Sequence, residues 1–227
     1  MRKDHIIFCL LSFLMICSYA QIDTTFVDNK YLEDQIYIGL TYNILVDKPN
    51  EFNQNGLSGG VSIGFIKDIP LNEQRNLGFG IGLGYSFNAN IQNLKIDELN
   101  GTTRFETIAS EDYNSNSLTI HSIEVPLEFR WRTSTAKNYN FWRIYTGLKF
   151  SYVFSNSSKY SDSNEKVLIK NINELDNFQY GLLFSAGYST LNLRLYYGLK
   201  PIFKNATVSD ENIDLRQFNV GVVFYLL

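Results

Sequence analysis

The sequence predicts an all-β fold, an eight-stranded antiparallel up-and-down barrel that crosses a membrane. Three observations carry this expectation. Hydropathy alternates with period two in eight segments, each long enough for the about 9–11 residues a tilted strand needs to cross a bilayer. One face of each segment is apolar and aromatic, while the other holds glycine or charge. The connections between segments alternate long and short.

The elements follow in order. "MRKDHIIFCLLSFLMICSYA" (1–20) has Arg2 and Lys3, an apolar run from Ile6 to Cys17, and small residues at Ser18 and Ala20. That is the pattern of a signal peptide cleaved before Gln21. A lipid-anchored leader acylated at Cys17 is the alternative, and Ile16 disfavours it, because such sites take a small residue there. Residues 21–34 read as a periplasmic tail and 35–227 as the barrel. The first segment, "QIYIGLTYNIL" (35–45), sets Ile36, Ile38, Leu40, Tyr42 and Ile44 against Tyr37, Gly39, Thr41 and Asn43. The second (57–66) sets Val61, Ile63 and Phe65 against Gly60, Ser62 and Gly64. The third (76–91) contains "GFGIGLGYSF", with Phe79, Ile81, Leu83 and Tyr85 between Gly78, Gly80, Gly82 and Gly84.

The fourth (118–133) sends Ile123, Val125, Leu127, Phe129 and Trp131 one way and Glu124, Pro126, Glu128, Arg130 and Arg132 the other. The fifth (141–154) repeats this with Trp142, Ile144, Leu148, Phe150, Tyr152 and Phe154 against Arg143, Tyr145, Gly147, Lys149 and Ser151. Segments 178–189, 191–200 and 215–227 complete the set. The stretch most open to a helical reading, Glu165 to Asp176, falls in a connection.

Alternation alone fits a soluble sandwich as well as a membrane barrel, with the faces exchanged. The aromatic apolar face, with Trp131, Trp142, Tyr42, Tyr85, Tyr152 and Tyr188 toward segment ends, resembles interfacial girdles. Glycine on a solvent face gains nothing. Inside a narrow barrel it makes room for bulky neighbours such as Arg130, Arg132, Arg143 and Tyr145. Long connections at about 46–56, 92–117, 155–177 and 201–214 alternate with short ones at 67–75, 134–140 and Ser189-Thr190, as outer loops do with periplasmic turns. The chain ends Phe224-Tyr225-Leu226-Leu227, without the terminal aromatic common in bacterial outer-membrane strands.

The formal charge of −3 speaks against nucleic-acid binding. Both cysteines, Cys9 and Cys17, lie in the leader, so disulfides, thiol catalysis and cysteine metal sites are not expected in the processed chain. No cofactor is expected.

"GFIKDIPLNEQRNLGFGIGLGY" (64–85), "PLEFRWRTSTAKNYNFWRIYTGLKFSYVF" (126–154) and "NFQYGLLFSAGY" (177–188), behind a leader ending "YAQ", resemble the PorT family of outer-membrane β-barrel proteins from Bacteroidetes. The resemblance covers essentially the whole processed chain. It implies a barrel in the cell outer membrane associated with type IX secretion, a system that also serves gliding motility in some hosts. It implies a component or assembly factor and no enzyme. The rival is a structural or adhesive barrel of the small OmpX-like kind.

The strongest constellation is an interior charge network of Glu124, Glu128, Arg130, Arg132, Arg143, Lys149, Arg194 and Lys200. Cross-strand pairing lets Glu124 or Glu128 meet Arg143 or Lys149. Its plainest role is a salt-bridged plug; a polar conduit is the alternative. Lys67, Asp68, Glu73 and Arg75, with Lys137 in the next short connection, form a candidate periplasmic face for secretion partners, and membrane lipid is the other expected partner. His121, beside Ser117 and Ser122, is the one candidate for a lipid hydrolase, in the manner of rim-placed His and Ser. Asp97, Glu98, Glu106, Glu111 and Asp112, and Asp210, Glu211 and Asp214, make the outer loops acidic without ordered metal-ligand spacing.

Overall fold

A computed structural model describes residues 34–54, 56–99, 101–109, 112–133 and 141–226. The expected leader, the tail up to residue 33, Glu111, Lys137 and Leu227 lie outside the described residues. Those described form strands and no helix. In chain order the strands are β1 (Gln35–Val46), β2 (Gly59–Pro70), β3 (Leu77–Ile91), β4 (Leu94–Leu99), β5 (Thr102–Thr107), β6 (Ser115–Arg132) and β7 (Trp142–Ser161). They continue as β8 (Lys166–Lys170), β9 (Phe178–Tyr188), β10 (Leu191–Gly198), β11 (Thr207–Val208), β12 (Glu211–Asn212) and β13 (Arg216–Leu226).

Eight of these pair antiparallel in the order β6-β3-β2-β1-β13-β10-β9-β7, and a β6–β7 ladder closes the ring. Closure leaves no unpaired edge, which is what lets strands exist in hydrocarbon, where no water can satisfy a free backbone group. The eight correspond one for one to the predicted segments. Pro126 sits within β6, where it has no N–H to offer the ladder. The β3–β6 pairing skips Gly82 and Leu83 there and resumes at Gly84–Glu124.

The alternation resolves into inside and outside. Ile63, Phe79, Ile81 and Ile123 are each about half exposed, and their counterparts on the other wall strands are exposed or partly exposed. A belt of apolar side chains around the whole circumference is untenable in water and is the lipid-facing surface. On β7 it runs from Trp142 to Phe154. At an ordinary strand rise and a tilt near 45° that distance is about 28 Å of height, close to the about 25 Å band of outer-membrane barrels. Trp142 and Tyr188 meet edge-to-face at 5.5 Å at the short-turn end. Tyr85, Phe87, His121 and Phe154 gather toward the other end, with ring centroids 5.0 to 6.3 Å apart.

Several boundaries differ from expectation. β2 continues to Pro70, so the β2–β3 turn is only residues 71–76. β7 and β6 run past the lipid belt to Ser161 and Ser115, and β8 adds to β7 there (Ser157↔Lys170, Lys159↔Leu168). β8 occupies the first part of the stretch most open to a helical reading. A β-bulge marks the transition: His121 pairs Ser155 while Ser122 pairs Val153, so Phe154 has no partner of its own and both Phe154 and Ser155 face outward.

The outer loops are not loose. Leu45, Leu118, Ile120, Val153 and Leu215 line the outer end of the barrel. Phe52, Leu94, Ile96, Ile172, Leu175, Ile202, Phe203, Ala206, Val208 and Ile213 descend onto them from all four outer connections as one apolar cluster. The β4–β5 hairpin adds Phe105, which meets Phe203 edge-to-face at 5.4 Å. The result is a folded cap with its own dry core above the polar lumen.

Candidate functional site

The lumen begins, at the short-turn end, with Asp68. β2 parity puts Ser62, Gly64, Ile66 and Asp68 inside and Phe65, Lys67 and Ile69 outside. Asp68 Oδ1 and Oδ2 accept from Arg132 Nη1 at 2.9 Å and Nη2 at 2.7 Å, a bidentate pair, and Arg130 Nη1 reaches Oδ1 at 3.3 Å. All three side chains are fully buried. Arg132 Nε also donates to the Arg75 carbonyl at 2.7 Å, so β6 is tied to the β2–β3 turn.

One layer further in, Arg130 Nε donates to Glu128 Oε2 at 3.1 Å and Nη2 donates to Gln35 Oε1 at 3.2 Å, with the guanidinium 4.7 Å from the Tyr145 ring centre. Arg194 reaches Glu128 Oε1 at 3.8 Å and lies 5.0 Å from the Tyr37 ring centre. Tyr37 donates its hydroxyl to Glu124 Oε1 at 2.7 Å, and Lys149 Nζ donates to Glu124 Oε2 at 3.0 Å while sitting 4.1 Å over Tyr196. Arg143 caps the end of the network, with its guanidinium 4.4 Å from the Phe141 ring centre and a bond from Nη1 to the Ser189 carbonyl.

Among the described residues, five cations of this network thus face three carboxylates. The guanidiniums and the ammonium also lie against aromatic faces and carbonyls, which accept part of their charge. Three of the residues, Asp68, Tyr37 and Tyr145, were not assigned to the network from sequence. Tyr37 and Tyr145 have lumen parity, and that parity is the signal that finds them.

Glycines in 78–84 make room for lumen side chains, but of the expected partners only Arg130 is met, at Gly80; at Gly84 the partner is Tyr37. A Cβ on Gly84 would stand on the Tyr37 hydroxyl and 2.7 Å from the Ile63 carbonyl oxygen; one on Gly64 would meet the same ring at 2.5 Å. Gly80 lies against Arg130, and Gly82 against Ile66 and Pro126.

Above the charged layers Ser86 and Ser122 bond at 2.8 Å and Asn43 Nδ2 donates to Asn88 Oδ1 at 3.0 Å. A cavity of about 10 Å³ there, lined by Ser86, Asn88, Ser122, Lys149, Ser151 and Tyr196 among others, has room for about one water. The apolar cap closes the lumen beyond it. Charged plug, small cavity and cap leave no continuous aqueous path through the described residues.

The other predicted site residues separate. Lys200 is not in the lumen. It lies beyond the end of β10 and pairs with Asp176 at 2.6 Å in the outer connections, because β10 ends two residues earlier, at Gly198. Arg143 meets neither glutamate. Asp68 is not on a docking face, because the longer β2 carries it into the barrel. Lys67 is exposed and binds Asp34 at 2.6 Å. Glu73 is exposed in the turn, and Arg75 is half-buried with its carbonyl engaged by Arg132. Lys137 is outside the described residues. Of the candidate periplasmic face, then, Lys67, paired with Asp34, and Glu73 remain exposed.

His121 lies on the outer wall with Nδ1 2.8 Å from the Tyr85 hydroxyl. Ser122 points to the opposite side of the wall, bonded to Ser86. Ser117 is four residues along the same face, about 13 Å away at an ordinary strand rise. Ser155 stands opposite His121 on the β6–β7 ladder, but among the described residues no serine hydroxyl is hydrogen-bonded to the imidazole, which is held by Tyr85. Among the described residues no three His, Cys, Asp or Glu side chains gather to hold a metal ion.

In the outer connections, burial pushes the Asp176 carboxyl up, but the hydrogen bonds from Lys200 and the Phe178 amide, with the Lys200 and Lys204 charges, outweigh it and hold the group below its ordinary value. A depressed carboxylate contributes stability above its ordinary pKa and loses it as pH falls through the folded value. Acidification from pH 6 to below the ordinary 3.8 is therefore expected to loosen residues 171–177 and 199–206. Hydrogen exchange corrected for intrinsic rates reads this, and Asp176→Asn is expected to show the looser pattern already at pH 6.

The sequence matches the family described as "Outer membrane protein beta-barrel domain" over residues 19–204. Among solved structures, the crystal structure of Ail, the attachment invasion locus protein of Yersinia pestis, matches at 12% identity with a TM-score of 0.36, over 85% of this chain and 97% of that one. No curated protein matches the sequence. With a closed eight-stranded wall, a lipid-facing belt and a match over most of its length, the chain belongs to the outer membrane protein β-barrel domain family and resides in the outer membrane.

Proposed function

We propose that the protein is a non-conducting, non-enzymatic barrel that serves type IX secretion as a component or assembly factor. The observation that carries the non-conducting half is the doubly closed lumen, charged layers from Asp68 to Lys149 beneath an apolar cap. Such a barrel acts through its surfaces. The secretion half rests on the resemblance of residues 64–85, 126–154 and 177–188 to the PorT family. Lys67 and Glu73, with Lys137 in the neighbouring turn, are the proposed contacts for periplasmic partners. That the recorded partner of His121 is the Tyr85 hydroxyl, and not a serine, supports a non-enzymatic role.

A second reading, a structural or adhesive barrel with no secretion role, is favoured by one feature: among the described residues, the outer connections fold into a cap with its own apolar core. Deleting the gene in its host and comparing the proteins of medium and periplasm separates the two. Cargo retained in the periplasm, and released again by the wild-type chain and by His121→Ala, is the expected result. Normal export overturns the secretion role. In planar bilayers the purified barrel is expected to show no steady conductance.

A further inference from the structure

Beyond the lipid belt, β7 and β8 present one face outward. The register places Ser157 opposite Lys170, Lys159 opposite Leu168 and Ser161 opposite Lys166, and paired residues share a face. Lys159, Lys166, Lys170 and Leu168 are all exposed. Lys159 is there because of the bulge at Phe154: by the parity of Lys149, Ser151 and Val153 it would have pointed inward. Across β6 the same face continues with Ser117 and Thr119, and it carries no acid.

The two carboxylates of the β7–β8 turn are engaged elsewhere. Asp162 accepts from the Asn164 and Glu165 amides at 2.6 and 2.7 Å. Glu165 is bonded to Lys95. Among the described residues no ion pair holds Lys159, Lys166 or Lys170. In a chain of net charge −3 with acidic outer loops, this is a local basic surface directly above hydrocarbon.

A second feature adjoins it. A groove of about 290 Å³ opens where β7 leaves the membrane, lined by Phe154, Asn156, Asn171, Asn173, Asn177 and Lys204 among others. Asn171, Asn173 and Asn177 are exposed. Asp176 near Lys204 is taken by Lys200 at 2.6 Å. Amides beside a lipid-facing ring are donors and acceptors suited to sugar hydroxyls.

Height selects the occupant. Lys170, Lys159 and Lys166 lie level with residues three, five and seven beyond Phe154, about 7, 12 and 16 Å above the belt at ordinary rise and tilt. A phospholipid head-group zone is only about 5–7 Å deep. We propose that this flank binds the phosphorylated oligosaccharide head group of an anionic glycolipid in the outer leaflet, with the lysines on its phosphates and the asparagine groove on its sugars.

The test uses the full chain in neutral-detergent micelles, titrated with deep-rough lipopolysaccharide, its dephosphorylated form, and phosphatidylglycerol. Lys159→Gln/Lys170→Gln is expected to weaken binding of the phosphorylated glycolipid by about 30-fold, the effect of two lysines at an anionic surface. Lys159→Arg/Lys170→Arg is expected to retain it. Lys48→Gln/Arg104→Gln, which removes the same charge from the outer loops elsewhere, is expected to leave it unchanged. Single Lys170→Gln, expected to lose about fivefold, covers the case of a poorly folding pair. Equal binding by the Gln pair and the wild type overturns the proposal, as does equal loss in the Lys48/Arg104 pair. So does affinity for phosphatidylglycerol or the dephosphorylated form that matches that for the phosphorylated glycolipid.

Discussion

Asp68→Asn is expected to lower the stability of the folded barrel by about 3–5 kcal/mol, the range for removing one member of a buried charge cluster. Asp68 is fully buried and holds two guanidiniums, Arg132 in a bidentate grip and Arg130 at 3.3 Å. An amide of the same shape keeps the volume and discards the charge, and it turns an NH₂ group toward donors that need an acceptor. Arg132 then loses its bidentate carboxylate and Arg130 one of its two, inside a buried lumen. Urea unfolding from lipid vesicles, read by tryptophan fluorescence, measures the loss. The neighbouring Lys67→Gln breaks only an exposed pair with Asp34 and is expected to change stability by less than about 1 kcal/mol. A loss that small at Asp68 would show that the arginines do not depend on it.

Gly84→Val is expected to cost about 3 kcal/mol, the upper part of the ordinary range for overpacking. Its side chain would displace the Tyr37 ring and crowd the Ile63 carbonyl on the neighbouring strand, and backbone cannot yield as a side chain can. Displacing Tyr37 also removes the 2.7 Å bond to Glu124. Gly59→Ala, whose Cβ would meet only the Thr41 carbonyl oxygen at 3.3 Å, is expected to cost far less. Combining Gly84→Val with Tyr37→Ala is expected to cost less than the sum of the two changes, by 1 kcal/mol or more, because both act on one contact. Strict additivity would show that the ring is not what the glycine accommodates.

The wall was legible because its cause is local. Each residue on a strand faces lipid or lumen by parity, so Ile36 and Tyr37, or Trp131 and Arg132, declare the two sides of the sheet within two positions. The core of the network was legible for the same reason: Glu124, Glu128, Arg130, Arg132, Arg143, Lys149 and Arg194 share lumen parity, and of the predicted cross-strand pairs Glu124–Lys149 forms. What parity cannot supply is the length of a strand. Asp68 and Lys200 were each assigned on the assumption that a strand stopped or continued near a turn signal, and in each case the ladder ended a few residues from there.

The outer cap had a visible trace. Lumen-parity residues change from polar to apolar at the outer strand ends, at Leu45, Leu118, Ile120 and Val153, and isolated apolar residues such as Ile172, Phe203 and Ile213 recur in connections that otherwise read as polar. Each is unremarkable alone. Their meeting needs four connections, far apart in sequence, to fold over one mouth, a contact order no local period encodes. The direction of Lys159 is the sharpest case. One unpaired residue at Phe154 reverses the parity of everything after it on β7.

By itself, then, the sequence determined the strand count, the lipid and lumen faces, the reason for the glycines and the presence of a charged interior, because each follows from a two-residue period and side-chain size. Only the tertiary structure decided which charges pair, that the cap seals the barrel, and which way β7 presents its lysines. Those depend on where ladders end and where a single bulge shifts the register, and both are settled by the neighbouring strand.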